Sequence, residues 1–454
     1  MASTMAPSPA RTASLTARQL LEVEARRQGF SEVGVTNLAP FDEAADRARQ
    51  ALAEGRLAGM PWYTEKRVSQ AADLGRRFPW GQSLVALTYP YRPAAGALAP
   101  PPEPPGQPGR PRGRIAAYAL GEDYHLRLDR ALRSLVASLS LRFPGLRWHR
   151  FVDHGRALDR AIAERAGLGF CGKHTQLIAA QGGSYVLLAS LVLSLKLSAD
   201  QPSRKSCGSC RACLPSCPTG ALVAPGVIDA PRCISYLTIE HEGAIPEQMR
   251  SLIGGWVFGC DLCQEACPIN ARLGPDPVPV GPASSRRGPV PFPDLIELLS
   301  LSEATFRARF RSTTIHRSGR ERLARNAAIA LGNAGERSAV PALARALRRD
   351  RSPLVRGTSA WALGQLGGEQ ALAALAGAIG REQDQQVMIE IRDALARWPG
   401  GRDQDDPGTR PARGVAQAEP AAGIGGGGRL HGGRVDGEPD RRRDLVAPRV
   451  PDLT

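Results

Sequence analysis

Eight of the nine cysteines lie within residues 207–268, spaced as Cys207-x2-Cys210-x2-Cys213-x3-Cys217-Pro218, then Cys233, then Cys260-x2-Cys263-x3-Cys267-Pro268. A cubane iron–sulfur cluster needs four thiolates, and two-residue gaps let one tight loop wrap three of them onto it. In two-cluster ferredoxins the remote cysteine before proline serves the other cluster. On that pattern Cys207, Cys210, Cys213 and Cys267 hold one [4Fe-4S] cluster, and Cys217, Cys233, Cys260 and Cys263 hold a second. Zinc does not call for a run of four ending in Cys-Pro, and disulfides do not suit a chain without an export signal. Paired clusters pass single electrons, so a redox function follows, either as carrier or as enzyme. Cys171, the ninth, is expected to be a buried free thiol.

The chain around this module has 454 residues, 42% hydrophobic and 23% charged, which excludes wholesale disorder and a collagen-like fold. Its most apolar stretch, Val186 to Leu195, is far shorter than the roughly 20 residues that cross a bilayer, so no membrane partner is expected. Nothing at the N-terminus resembles an export signal, and the default location is cytoplasmic. Net charge is +15, and the excess lies before residue 400, since residues 400–454 hold nine arginines and nine acids. A basic body favours a polyanion such as nucleic acid. Only four basic residues are lysines (66, 173, 196 and 205), however, and such an arginine bias also arises from genome composition.

Composition and periodicity divide the chain. Residues 1–14 are a flexible N-terminus and 15–200 an α/β domain, with helices expected at 15–29, 41–55, 124–143 and 155–166 and strands at 32–36, 83–89 and 148–152. A proline-rich insertion occupies 93–113, with eight prolines. The two-cluster module spans 201–273, a proline-rich linker 274–293, and helical repeats 294–399. Asn326-Ala-Ala-Ile-Ala-Leu-Gly-Asn-Ala-Gly335 echoes Thr358-Ser-Ala-Trp-Ala-Leu-Gly-Gln-Leu-Gly367, the mark of HEAT-like helix pairs that bury their faces by stacking. Two echoes are few for a free solenoid, so the repeats are expected to dock on the rest. The segment 400–454 is a disordered tail by composition. No Gly-x-Gly-x-x-Gly loop follows a strand, which leaves dinucleotide binding unsupported.

Several blocks in order carry a resemblance: Tyr118-Ala-Leu-Gly-Glu-Asp-Tyr-His125, Phe151-Val-Asp153, Ala163-Glu-Arg-Ala-Gly-Leu-Gly-Phe-Cys-Gly-Lys-His174, Cys217-Pro-Thr-Gly-Ala-Leu222, Asp229-Ala-Pro-Arg-Cys-Ile-Ser-Tyr-Leu-Thr-Ile-Glu240 and Gly259-Cys-Asp-Leu-Cys-Gln264. Together, over roughly residues 15–335, they resemble the epoxyqueuosine reductases of tRNA modification. The resemblance implies a multidomain α/β protein: a cobalamin-binding α/β domain, a two-cluster ferredoxin-like module and C-terminal HEAT-like α-helical repeats. It implies electron flow from two [4Fe-4S] clusters to cobalamin, and reduction of the epoxide at the wobble position of tRNA anticodons.

The same resemblance places Asp153 as general acid, which requires burial to raise its pKa. Its bland alternative is an N-cap for a helix starting near Gly155. Cobalamin contacts are expected from Arg67, Tyr118, His125, Asp153, Lys173, His174 and Thr175. Base or phosphate contacts to tRNA are expected from Ser235, Tyr236, Arg317, Arg320, Arg322 and Arg325, the four arginines having a solvated helix face as their alternative. Where the family has a small residue, Pro, apolar residues and Glu-Arg after its aspartate, this chain reads His154-Gly-Arg-Ala-Leu-Asp159-Arg160, and Ala117 replaces an arginine. A monomer fed by an unidentified flavodoxin- or ferredoxin-type donor is expected. The competing functions are a dehalogenase-like cobalamin reductase of a small molecule and a non-catalytic electron-transfer protein.

Overall fold

The computed structural model describes residues 16–92, 110–153, 155–273 and 289–398. The N-terminus, most of the insertion and linker, and the tail therefore lie outside the described residues.

Four strands form one sheet: β1 (Glu32–Thr36), β2 (Ser83–Pro90), β3 (Trp148–Phe151) and β4 (Val186–Leu193). Their order is β1-β2-β4-β3, every pair antiparallel, with Ser83 and Trp148 both opposite Leu193. Side chains alternate across a strand, so β2 sends Val85 and Leu87 to one face and Leu84 and Ala86 to the other. The first face is covered by α1 (Ala17–Arg27) and α4 (Tyr124–Arg142), through Leu21, Ala25, Leu128, Leu132 and Leu135. The second is covered by α5 (Asp159–Arg165) with Ile162 and Ala163, together with Phe41 and Leu74. Helices α2 (Asp42–Ala53) and α3 (Glu65–Ala72) pack beside it through Ala45, Val68 and Ala72. Burial of the sheet on both faces explains why its two central strands, β2 and β4, read as near-continuous apolar runs.

The helix expected at 155–166 begins only at Asp159, behind the non-bonding cap Leu158. Asp153 is thus not a helix cap, and seven residues separate β3 from α5.

The cluster module carries one short helix of consequence, α6 (Ile234–Ile239). Beyond it the repeats run through α7 (Gly319–Ala334), α8 (Val340–Arg349), α9 (Pro353–Leu366), α10 (Glu369–Ile379) and α11 (Gln385–Ala396). The sequence echo marks the points where helices meet. A Cβ on Gly332 would lie 2.8 Å from the Trp361 ring, and one on Gly364 would lie 2.7 Å from the Ala394 methyl. Glycine there lets α7, α9 and α11 stack closely.

The repeats are not a separate body. Ile234, Leu237, Trp256 and Phe258 of the module share one core with Leu323, Ala327 and Leu331 of α7 and onward to Ile391 of α11. Polar side chains reinforce that contact. Asn326 donates to the carbonyls of Thr238 and Val257, both at 2.8 Å, and Asn333 to those of Arg250 (2.8 Å) and Gly254 (2.9 Å). Arg250 in turn reaches Glu390 at 2.5 Å, tying the module to the last repeat helix. These bonds serve carbonyls that a buried loop would otherwise leave unpaired.

Candidate active site and cluster ligands

Asp153 follows β3 with φ 52°, one of two non-glycine residues in the left-handed region among those described. Aspartate tolerates that region better than most residues. The turn presents a carboxylate whose side chain is 64% exposed. The start of α4 meets it there: the Tyr124 hydroxyl donates to Asp153 Oδ2 at 2.5 Å, and His125 Nε2 lies 3.3 Å from the same oxygen. Asp123 is the N-cap of α4, accepting from the His125 N–H at 3.0 Å, and it also holds His125 Nδ1 at 2.7 Å. One cap residue therefore fixes both the helix start and the imidazole. Arg317, from the segment before α7, stands 3.6 Å from Asp123 and is half exposed.

Charge distribution follows from these contacts. Burial pushes the Asp153 carboxyl up, but bonds from His125 and Tyr124 and the charges of His125 and Arg317 outweigh it, bringing it down to about 2. The raised pKa that a resting general acid requires is thus not what the structure gives, and Asp153 is an anion at neutral pH. His125 moves the other way: burial lowers its pKa, yet Asp123 and Asp153 together hold it above its ordinary value. Tyr118 packs edge-on against Tyr124 at 6.0 Å and beside Phe258, its hydroxyl pushed up by burial and by Asp153. Arg67 donates to the Gly155 carbonyl at 3.1 Å, holding the loop that carries Asp153.

The eight module cysteines are all free thiols. Burial and the neighbouring charges of Cys207, Cys267 and Cys210 raise the pKa of Cys213. Cys263 likewise feels Cys233 and Cys217, and Cys260 feels Cys233 and Cys263. Cys263 also feels Cys213, so these couplings place the cysteines near one another without dividing them into sets. Among the described residues no three His, Cys, Asp or Glu groups close tightly on a single ion. The fit to iron–sulfur clusters rests instead on the donor set and its mutual coupling.

Several predicted site residues serve other ends. Lys173 directs its ammonium to the carbonyls of Gly208 (2.6 Å) and Cys210 (2.8 Å) and its N–H to Cys207 Sγ, so it braces the loop that carries Cys207 and Cys210. Burial raises the pKa of Cys233, and the backbone N–H groups of Ser235 and Tyr236 and the Ser235 hydroxyl, all directed at it, only partly offset that rise. The Tyr236 side chain is buried, with its hydroxyl beside Gly59 and its ring near that of His241. Arg325 is fully buried, donating to the carbonyls of Leu237, His241 and Gly243. Arg320 pairs with Asp350, and Arg322 bonds the carbonyls of Ile239 and Glu240. Of the four arginines expected to hold phosphate, Arg317 alone keeps an exposed guanidinium not committed to backbone carbonyls. Cys171 is exposed, not buried.

His174 and Thr175 lie in a tight turn after residues 169–171. Thr175 has φ 70° and gives its carbonyl to Arg160. His174 is 2% exposed, and its Nε2 has no hydrogen-bond partner. An orphaned buried nitrogen of that kind suits a bound polar group. Tyr124, Asp123 and Asp159 were not singled out in the sequence. The signal for Tyr124 was its place beside His125 at a helix start, which spacing alone does not distinguish from an ordinary cap.

Comparison with known proteins assigns the same parts. Residues 72–154 match the epoxyqueuosine reductase QueG domain (DUF1730), 206–270 a 4Fe-4S double cluster binding domain, and 312–396 HEAT repeats. The chain is 39% identical to the epoxyqueuosine reductase of Salmonella typhimurium over 69% of its own length and 79% of that protein's. It is 34% identical to that of Bacillus subtilis, over 82% and 93% respectively. Among solved structures, an epoxyqueuosine reductase with an epoxyqueuosine-modified tRNA-Tyr stem loop superposes with TM-score 0.74 at 32% identity, covering 84% of this chain and 99% of that one. The Bacillus subtilis enzyme, with an aspartate-bearing catalytic loop swung out of its active site, gives 0.75 at 31%, covering 84% and 100%.

Proposed function

The chain belongs to the epoxyqueuosine reductase family, and from that premise we infer that it reduces epoxyqueuosine to queuosine at the wobble position of tRNA anticodons. The observation that supports this most directly is a single compact body in which a left-handed aspartate, gripped by Tyr124 and His125, accompanies the eight cysteines of a double-cluster domain. It carries iron–sulfur clusters. Among the described residues no helix is long and apolar enough to cross a membrane, and the reading is of a cytoplasmic monomer fed by a flavodoxin- or ferredoxin-type reductant.

Cobalamin, when bound, supplies a cobalt centre reducing enough to act on the epoxide. Arg67, Tyr118, His125, His174 and Thr175 are the residues that would line it. His174 is kept neutral, because burial brings its pKa down to about 4, and with Nδ1 accepting from the Gln176 N–H it offers an Nε2–H donor without adding charge.

Opening the ring leaves an oxygen that must be protonated. Asp153 is the exposed acidic group, and its low pKa makes it a poor store of protons on its own. His125 is the group beside it: Asp123 and Asp153 raise its pKa above the ordinary value despite burial, which favours a proton within reach of Asp153 Oδ2. Asp123 keeps the imidazole in place through Nδ1. In this reading Asp153 hands the His125 proton to the departing oxygen and is restored by the imidazole. The exposed guanidinium of Arg317 faces the same mouth and suits an anticodon phosphate.

The test is anaerobic purification with cobalamin supplied, metal analysis, and turnover of tRNA carrying epoxyqueuosine. About eight iron and one cobalt per chain, with conversion to queuosine, is the expected result. Iron without cobalt and without turnover would leave an electron-transfer protein in its place. Cobalt with reduction of a halogenated small molecule, and none of tRNA, would favour the dehalogenase-like alternative.

A further inference from the structure

Of the eight cysteines in the double-cluster domain, Cys210 alone is exposed, whereas Cys213 and Cys267 are buried and the rest lie between. Spacing places Cys210 in the first set of thiols, and the loop around it, residues 208–212, is exposed throughout. That loop is open but not loose. Gly208 takes φ 52° and donates its N–H to the Ser206 hydroxyl at 3.2 Å, and the Cys210 N–H closes a turn on the Cys207 carbonyl at 3.1 Å. Lys173 holds the carbonyls of Gly208 and Cys210. A surface fixed in advance loses little freedom when a partner docks on it.

Charge and apolar area accompany the loop. Residues 201–228 hold three bases, Arg204, Lys205 and Arg211, and no acid. All three are exposed, and no ion pair or side-chain hydrogen bond engages their charged ends among the described residues. Half-buried Glu32 is an acid that feels Lys205. The hairpin of residues 222–228 joins the loop through the Gly226 N–H, which donates to the Lys173 carbonyl at 2.8 Å, and it leaves Val223 49% exposed. An apolar spot rimmed by unpaired cations has the make-up of a steered, transient protein contact. The same stretch has no Phe, Trp or Tyr, so it offers nucleic-acid bases no stacking surface.

Cys260 is placed differently. A Cβ on its neighbour Gly259 would lie 2.6 Å from the Ala116 methyl and 3.3 Å from the Tyr118 ring. Tyr118 packs on Tyr124, which bonds Asp153. One cysteine of the domain thus stands at the surface, and another stands beside the residues that reach the catalytic loop.

We propose that residues 204–212, with Val223 beside them, form the docking surface for an acidic one-electron carrier protein, which delivers its electrons on the Cys210 side of the first cluster site. At each encounter the reduced carrier gives up one electron and this chain gains one. Two encounters supply the pair consumed when an epoxide becomes an alkene and water, with two protons taken up at the substrate. The fate of the electrons rests on the reductase reading given above.

The probe is an acidic flavodoxin reduced to its hydroquinone and mixed anaerobically with the iron-loaded protein, since the semiquinone left behind reports each electron given up. The wild-type rate should fall about tenfold or more between roughly 0.01 and 0.15 M salt, as the Debye length shortens from roughly 30 to 8 Å. Arg204→Glu combined with Lys205→Glu should be slower by on the order of 10- to 10²-fold at low salt and nearly indifferent to salt. Its iron content and its reduction by the small methyl viologen radical should match wild type. Val223→Asp should slow transfer from flavodoxin in the same way. Arg348→Glu combined with Arg349→Glu, at exposed positions of α8, changes net charge equally and should leave the rate within about twofold. A rate within about twofold of wild type for the Arg204 and Lys205 pair overturns the proposal, as does an equal loss from the α8 pair, which would show net charge acting and not a surface. Loss of tRNA binding with the flavodoxin rate unchanged would overturn it in favour of nucleic acid. Wild type that takes electrons in this way but leaves epoxyqueuosine tRNA unreduced refutes the reductase reading and leaves the docking surface standing.

Discussion

Truncating Asn326 should loosen the whole contact between repeats and cluster module. Its side chain is 1% exposed and completes three hydrogen bonds: to the carbonyls of Thr238 and Val257, and from Arg325 Nε at 3.0 Å. Asn326→Ala leaves two carbonyls and one guanidinium N–H without partners. Each such buried group costs about 1–3 kcal/mol, and Arg325 keeps its other carbonyl bonds, so a net loss of about 3–5 kcal/mol is expected. That is a large share of the roughly 5–15 kcal/mol by which folded proteins are stable. Amide hydrogen exchange under anaerobic conditions is the better assay, because an assembly of sheet, module and repeats need not unfold in one step. Protection should drop across residues 234–243 by a factor of 10² or more, since about 1.4 kcal/mol is tenfold. Asn326→Asp, which keeps the shape but points oxygens at two carbonyls, should lose more. Unchanged exchange in that segment, or a destabilisation below about 1 kcal/mol, would refute the reasoning, since no buried group would then have lost a needed partner.

Asp153→Asn should keep iron content while turnover of epoxyqueuosine tRNA drops by about 10² or more; retained turnover would remove Asp153 from the proton path. Cys233→Ser should lower iron from about eight to about four per chain, because Cys233 belongs to the second set of thiolates only; loss of all iron would show that the clusters do not assemble separately. For His174 the folded pKa of about 4 lies below the ordinary 6.5, so the unfolded chain takes up a proton first as pH falls. Its contribution to stability is therefore full above 6.5 and lost progressively between 6.5 and 4, on the order of 3 kcal/mol in total. In urea titrations of the holoenzyme, His174→Gln should flatten that part of the acid slope, and an identical slope would show that His174 is not kept neutral.

Much of the fold was legible because its signals are local. Strands β1 and β2 and helix α4 begin where alternation and capping place them, and the cysteine spacing pointed to the double-cluster domain at 206–270. The start of α5 was misplaced by four residues: Gly155, Arg156 and Ala157 carry no strong signal against a helix, and the bonds that hold them as loop come from Arg67 and Arg77, distant in sequence. The arginines before and within α7 failed as a phosphate stripe for a related reason. Sequence shows charge but not the carbonyls within reach, and the segment that receives Arg322 and Arg325 lies some 80 residues earlier. The donors around Asp153, Tyr124 above all, were not legible, because a resemblance transfers a residue's role and not its hydrogen-bond partners.

The continuous core beneath α6 and α7 also governs which truncations this chain can survive. A protein ending after residue 273 would not be a smaller reductase. It would expose Ile234, Leu237, Trp256 and Phe258 to water and leave the carbonyls of residues 237–243 without their donors. Shortening can be tolerated only from the far end, where α10 and α11 cap the stack. Even there, removal of Glu390 would strand the Arg250 guanidinium, itself 4% exposed, inside the cluster module. The repeats are in this sense the last layer of the iron–sulfur module's own interior, inherited with it and not a separable appendage.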